Sequence, residues 1–148
     1  MEEIRQLLWQ VNLGIIRMRG AYAAWCREQG ISYHELLVFY SLYYHPEDTT
    51  QRTICTSYLL PKQTVHHVVA SMVRAGWLLL EPSIRSGREK RLVPTARGWE
   101  RIRQVMEPLT RLETEAVERM GRKEVAEMVR LMERYSGQLN PAAEEEAV

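Results

Sequence analysis

The chain has 148 residues, is 45% hydrophobic and carries a formal net charge of +1. Its length suits one domain and its apolar content suits a real core, while nothing in the overall charge points to nucleic acid. No apolar run approaches the roughly 20 residues needed to cross a bilayer. Cys26 and Cys55 lie too far apart in sequence to outline a secreted disulfide framework. Glu2, Glu3 and Arg5 precede only a mixed segment, not a secretion signal, so a soluble cytoplasmic protein without a membrane partner is the default expectation.

The distribution of charge says more than its sum. Residues 61–103 carry nine basic side chains (Lys62, Arg74, Arg85, Arg88, Lys90, Arg91, Arg97, Arg101 and Arg103) against Glu81, Glu89 and Glu100. Residues 104–148 reverse the balance, and all their acids are glutamates. A basic segment followed by an acidic one points to a localised anion-binding surface.

In chain order, residues 3–28 read as a long helix. Ile4, Leu7, Leu8, Val11, Ile15, Met18, Tyr22 and Trp25 keep a helical spacing, and Trp9, Leu13 and Ile16 widen the apolar surface beyond what one small core needs. Part of that surface is therefore expected to face a second subunit. After Gly30, Ser32 and Glu35 form a capping-box pattern for a second helix, apolar nearly all round and so expected to be central. His45-Pro46-Glu47-Asp48 is a loop. Thr49 or Thr50 caps a short third helix, with Ile54, Cys55, Tyr58 and Leu59 as its expected inner side.

The segment Pro61 to Gly76 organises the chain. Pro61 suits a first helical position, and Gly76 ends the helix because glycine enters the left-handed region without penalty. Val65, Val69 and Met72 form the apolar stripe, widened by Val68 and Val73. The opposite face offers Lys62, Gln63, Thr64, His66, His67, Ser71 and Arg74, a set of donors with almost no acid among them. Two short strands, 77–81 and about 89–93, follow, with Arg85 and Arg88 at the turn between them. Thr95 caps a further helix. Pro108 inside it is expected to bend it or remove one hydrogen bond. Gly121 breaks the pattern before a last helix over about 122–136, and residues 138–148 read as a disordered tail.

This order resembles the multiple-antibiotic-resistance regulator (MarR) family. Lys62-Gln63-Thr64-Val65, Met72 and Ala75-Gly76-Trp77-Leu78 look like the family's recognition helix and its glycine exit. Ser86-Gly87-Arg88 and Thr95-Ala96-Arg97-Gly98 look like its wing and the Thr-x-x-Gly start of the next helix. Ser86 stands where an aspartate is usual and Pro94 where a leucine is usual; without that aspartate the salt bridge that braces the family's wing arginine lacks its acid, and Arg88 is expected either to be looser or to be held by Glu89. The resemblance implies a mainly α fold: a winged helix-turn-helix over 31–98 with a two-stranded β wing, flanked by dimerisation helices at 1–30 and 99–137. It implies a homodimer, with effectors binding where the interface meets the DNA-reading lobe.

Each residue type suits a contact to double-stranded DNA. Gln63 can pair an adenine edge bidentately, and Lys62 or Arg74 can reach guanine or phosphate. Thr64 suits a phosphate or a thymine methyl, and His66, His67 and Ser71 can donate from the same face. His66 and His67 are adjacent, about 100° apart on a helix, and cannot chelate one metal together. Arg85 and Arg88 would enter or flank the minor groove. Lys90 and Arg91 alternate sides of their strand, so at most one of them, taken as Lys90, faces DNA. Thr50 and Arg52 sit at a helix start, which favours phosphate. Trp25, Tyr33, His34, Phe39, Tyr40, Tyr43 and Trp99 are candidates for an aromatic effector pocket between the first, second and fifth helices, although such residues also make ordinary core.

No nucleophile–base pair, phosphate loop or metal cluster stands out, so neither an enzyme nor a cofactor is expected. Cys26, His34 and Glu35 lack a fourth ligand at metal-like spacing. The expected function is a sequence-specific DNA-binding transcriptional regulator, acting as a repressor on a pseudo-palindromic operator and releasable by a small aromatic molecule. The competing reading is a winged-helix module whose α-helical face meets protein; such faces carry acids or apolar groups, and this one is basic and polar.

Overall fold

The computed structural model describes residues 1–83, 85 and 88–140. The elements run α1 (Glu2–Gln29), α2 (Tyr33–Tyr44), α3 (Gln51–Tyr58), α4 (Lys62–Arg74), β1 (Leu78–Pro82), β2 (Lys90–Pro94), α5 (Ala96–Met120) and α6 (Arg122–Leu139). The chain divides into two compact units, residues 1–106 and 107–148.

Unit one is built around α2, α3 and α4. Ser32 accepts from the Glu35 amide and Glu35 from the Ser32 amide, so the expected capping box is present at the start of α2. Thr50, not Thr49, caps α3, closing a second box with Thr53. Thr49 instead is buried and donates to the carbonyls of Ser41 (3.1 Å) and His45 (2.7 Å), which fixes the bend after α2. Leu36, Val38, Phe39 and Leu42 of α2, Ile54 of α3, and Val65, Val69 and Met72 of α4 form the core with Leu78, Leu92, Ile102, Val105 and Met106.

Between α3 and α4 the chain departs from the sequence expectation. Leu59 is 81% exposed, not inward, because it takes the left-handed conformation (φ 51°) that closes α3 and turns its side chain out. Pro61 lies one position outside α4, with extended ψ (141°), and accepts the Val65 amide on its carbonyl. Both strands begin one residue later than expected. At the other end Gly76 adopts φ 76°, and the Trp77 amide reaches back to the Met72 carbonyl at 3.0 Å.

The hairpin pairs antiparallel, Leu78 opposite Pro94 and Pro82 opposite Lys90. Residue Thr50 forms a bridge to Arg91, and the Leu92 amide donates to the Thr49 carbonyl at 2.9 Å, so the second strand is held on both sides. The Thr95-x-x-Gly98 motif is a joint between β1 and α5. Thr95 donates through its hydroxyl to the Gly76 carbonyl (2.6 Å) and through its amide to the Trp77 carbonyl (2.9 Å), while accepting the Gly98 amide (3.1 Å). A Cβ on Gly98 would stand 2.0 Å from the Trp77 carbonyl oxygen. Phe39 packs on Trp77 with ring centroids 6.1 Å apart, and Arg101 lies over the same indole while donating to the Gln29 carbonyl at the end of α1.

In unit two, α5 continues through Pro108 without interruption, so the proline costs a backbone bond and does not end the helix. Gly121 (φ 105°) separates it from α6, which extends beyond the expected boundary to Leu139. The tail from residue 141 lies outside the described residues.

Gly98→Ala should lower stability by roughly 1–3 kcal/mol or more, because backbone must move to admit the methyl. Urea unfolding measures this, and an unchanged midpoint would show that the joint opens freely.

Candidate nucleic-acid interface

The geometry of α4 follows from its period. Burying Val65, Val68, Val69 and Met72 turns Lys62, Gln63, His66, His67 and Arg74 outward, and all five are exposed. Thr64 and Ser71 lie at the margins of the stripe, half-buried. No acidic residue occurs in the helix, so its exposed face is rich in donors and carries no negative charge.

Arg52, in the first turn of α3, is exposed and lies 3.2 Å from Glu89 at the foot of β2. Glu89 is thus engaged by Arg52, a partner the sequence did not indicate. Arg85 approaches Asp48 at 3.4 Å. Arg88 and Lys90 are exposed. The structure therefore brings the α3 start, the outer face of α4 and the hairpin into one unit, with basic groups on each. Thr50 is the exception among the expected contacts. It is 5% exposed and its hydroxyl caps α3, so it lies behind the surface. Ser86 and Gly87 of the expected wing motif lie outside the described residues.

Sequence reasoning missed the carboxylates that face these arginines. Arg91 sits between Glu47 (3.2 Å) and Glu81 (3.4 Å), and Asp48 meets Arg85. The cross-strand pairing of Glu81 with Arg91 was implicit in the hairpin register, but Glu47 and Asp48 come from a loop whose approach to the hairpin has no local sequence signal.

The aromatic candidates differ in burial and in their ring partners. Phe39 is buried and committed to Trp77. Tyr40 stacks on Tyr44 (5.7 Å) and Tyr43 meets Tyr44 edge-on (5.2 Å), a cluster at the end of α2. Trp25, Tyr33, His34 and Trp99 are half-buried. Tyr33 has the Arg19 guanidinium 5.6 Å from its ring centre. The Trp25 Nε1 is buried and has no hydrogen-bond partner among the described residues.

Burial pushes the Cys26 thiol up, and the Glu35 carboxylate adds to that shift. Cys26 is 3% exposed, while Cys55 is only half-buried. In native protein at neutral pH, a thiol reagent should therefore titrate Cys55 first. Cys55→Ser should abolish the fast phase and Cys26→Ser should leave it intact; fast modification surviving in Cys55→Ser would contradict this assignment.

Residues 29–89 match the model of the MarR family. A search of curated proteins finds no significant match. Among solved structures, a MarR family regulator from Neisseria meningitidis superposes with a TM-score of 0.81 at 20% identity, covering 95% of this chain and 98% of that one. A MarR protein of Staphylococcus aureus in complex with salicylate and kanamycin gives 0.68 at 18% identity, covering 93% and 95%. The S. aureus MepR–DNA complex gives 0.68 at 16% identity, covering 88% and 96%. Among the described residues no helix is long and apolar enough to cross a membrane. The chain carries the MarR family signature over residues 29–89 and has, along most of its length, the winged-helix fold of MarR family transcription regulators.

Proposed function

We propose that the protein is a sequence-specific DNA-binding transcriptional regulator, acting as a homodimeric repressor on a pseudo-palindromic operator. The observation that carries this reading is the outer face of α4, fully supplied with donors and without an acid, presented by a helix whose other face is locked into the core. The similarity in fold to MepR, solved in complex with DNA, supports a DNA-binding reading.

In this reading α4 enters the major groove. Gln63 reads a base edge, Lys62 and Arg74 take guanine or phosphate, and Thr64, His66, His67 and Ser71 supply further donors. Arg85, Arg88 and Lys90 hold the backbone beside the adjacent minor groove, and Arg52 adds a phosphate contact from the start of α3. Thr50 contributes by capping that helix.

A single 13-residue helix buries too little to hold an operator alone, whereas a symmetric pair about 10 base pairs apart can. Two apolar surfaces support the pairing. Helix α1 exposes Ile4, Leu7, Leu8, Trp9, Ile15 and Ile16, and α6 has no buried residue while exposing Val129, Leu131, Met132 and Tyr135. Soluble monomers rarely leave such faces open. Release by a small aromatic molecule is the remaining element, and Trp25 provides the specific motive: a buried indole N–H without an acceptor is a ready donor for a ligand oxygen. Tyr33, His34 and Trp99, half-buried like Trp25, are the further candidates to line such a site. The structure bound to salicylate is a precedent for such a ligand in a similar fold.

Arg88→Ala should weaken binding to every duplex and lower the slope of log affinity against log salt by ~1. Gln63→Ala should instead relax preference at one base position per half-site in a selection of bound sequences. Loss of neither affinity nor preference in these variants, or absence of salt-dependent duplex binding by the wild type, would favour a protein-binding module. Light scattering should give a dimer at micromolar concentration; a stable monomer would remove the basis for a palindromic target.

A further inference from the structure

We infer that Arg91 is a positioning residue for the wing: held between Glu47 and Glu81, it sets the angle of the β1–β2 hairpin on the α2–α3 segment and so places the wing arginines against DNA. This rests on the DNA-binding reading above, but the brace itself is a matter of geometry. The Arg91 Nη1 lies 3.2 Å from Glu47 Oε2 and its Nη2 lies 3.4 Å from Glu81 Oε2. One guanidinium thus joins the loop after α2, the first strand and its own strand. The backbone repeats the arrangement, since Arg91 pairs with Glu81 in the ladder and with Thr50 across the other edge. Beside it the Leu92 amide donates to the Thr49 carbonyl, and Thr49 is itself anchored to the end of α2.

Exposure distinguishes this contact from its neighbours. The side chains of Arg52 and Arg85 are each 81% exposed, whereas that of Arg91 is 22% exposed. Fully solvated pairs contribute little and exchange readily for other anions. Arg91 is shielded, and both its terminal nitrogens already face carboxylates, so it is poorly placed to take a phosphate. Its absence would leave Glu47 and Glu81 without the cation that joins them near the turn end of the hairpin. Lysine offers a single ammonium where the site uses the two ends of a planar fork, so it can satisfy one carboxylate at a time.

The test uses the full chain with Arg91→Gln and Arg91→Lys, read by fluorescence anisotropy on a short duplex over a salt series and by NMR-detected hydrogen exchange at the Leu92 amide without DNA. Arg91→Gln should bind roughly 5- to 30-fold more weakly, the factor carried by a loss of one or two kcal/mol. Its salt slope should match wild type, because no phosphate contact is lost. The Leu92 amide should exchange faster, and Arg91→Lys should fall between wild type and Arg91→Gln in both readouts. A slope lowered by ~1 would mark a direct phosphate contact and overturn the positioning role. Unchanged affinity or unchanged exchange in Arg91→Gln would overturn it as well. If that variant does not fold, Arg91→Lys decides alone, and wild-type values in it overturn the inference. Should wild-type protein bind no duplex while exchange at Leu92 still accelerates in the variant, the DNA-binding reading fails and the brace stands.

Discussion

The two-sidedness of α4 is the constraint on which the rest depends. A helix repeats every 3.6 residues, so placing Val65, Val68, Val69 and Met72 in the core dictates where every other side chain goes. Lys62, Gln63, His66, His67 and Arg74 have no alternative but the outside. The core that grips the valines is built by α2 and α3, and α2 is apolar enough to be enclosed by its neighbours. A change in the inner stripe would therefore rotate the outer face as well as loosen the packing. The candidate surface is backed by a close-packed interior.

The hairpin is tied to that core at both ends, by different physics. At its root, Thr95 and Gly98 clasp Gly76 and Trp77 through short hydrogen bonds and a backbone approach that only a glycine tolerates. Along its second strand it is joined to the α2–α3 segment by the Thr49–Leu92 hydrogen bond, the Thr50–Arg91 bridge and the Arg91 ion pairs. The first tie is local and short-ranged. The second spans more than 40 residues of sequence, from Glu47 to Arg91, and depends on charges that remain partly solvated, so it is the softer of the two.

Much of this was legible beforehand, for identifiable reasons. Capping boxes, the valine stripe and the glycine exit are local patterns, and local patterns survive tertiary context when the context agrees with them. The Thr-x-x-Gly motif was recognised by resemblance; only the structure shows the physical need, which is the Trp77 carbonyl against Gly98. Leu59 was misplaced because periodicity assumes helical φ throughout, and this residue is left-handed. Thr50 carried two readings, phosphate contact or cap, and its burial and cap geometry favour the second. Arg91 was reduced to one of two alternating strand residues, since its acidic partners lie in a loop and in the opposite strand. The aromatic group was read from composition alone. In the structure Phe39 is buried against Trp77, and Tyr40 and Tyr43 both meet Tyr44.

The same logic connects the apolar surface of α1 to the proposed reading surface. Helix α1 has 28 residues and only Cys26 among them is buried. A helix of that length gains little stability from propensity alone, least of all with Gly14 and Gly20 in its interior, and helices in proteins are stabilised chiefly by packing one face. An exposed stripe of Leu7, Leu8, Ile15 and Met18 is thus incomplete as a stable arrangement of one chain. In the proposed dimer a second copy would supply a matching surface, because a two-fold interface pairs a patch with itself. The same pairing would supply what one α4 lacks. Two copies of that helix related by symmetry would bring duplicate polar faces to one duplex, so one association would cover the apolar surface and give the polar surface its partner.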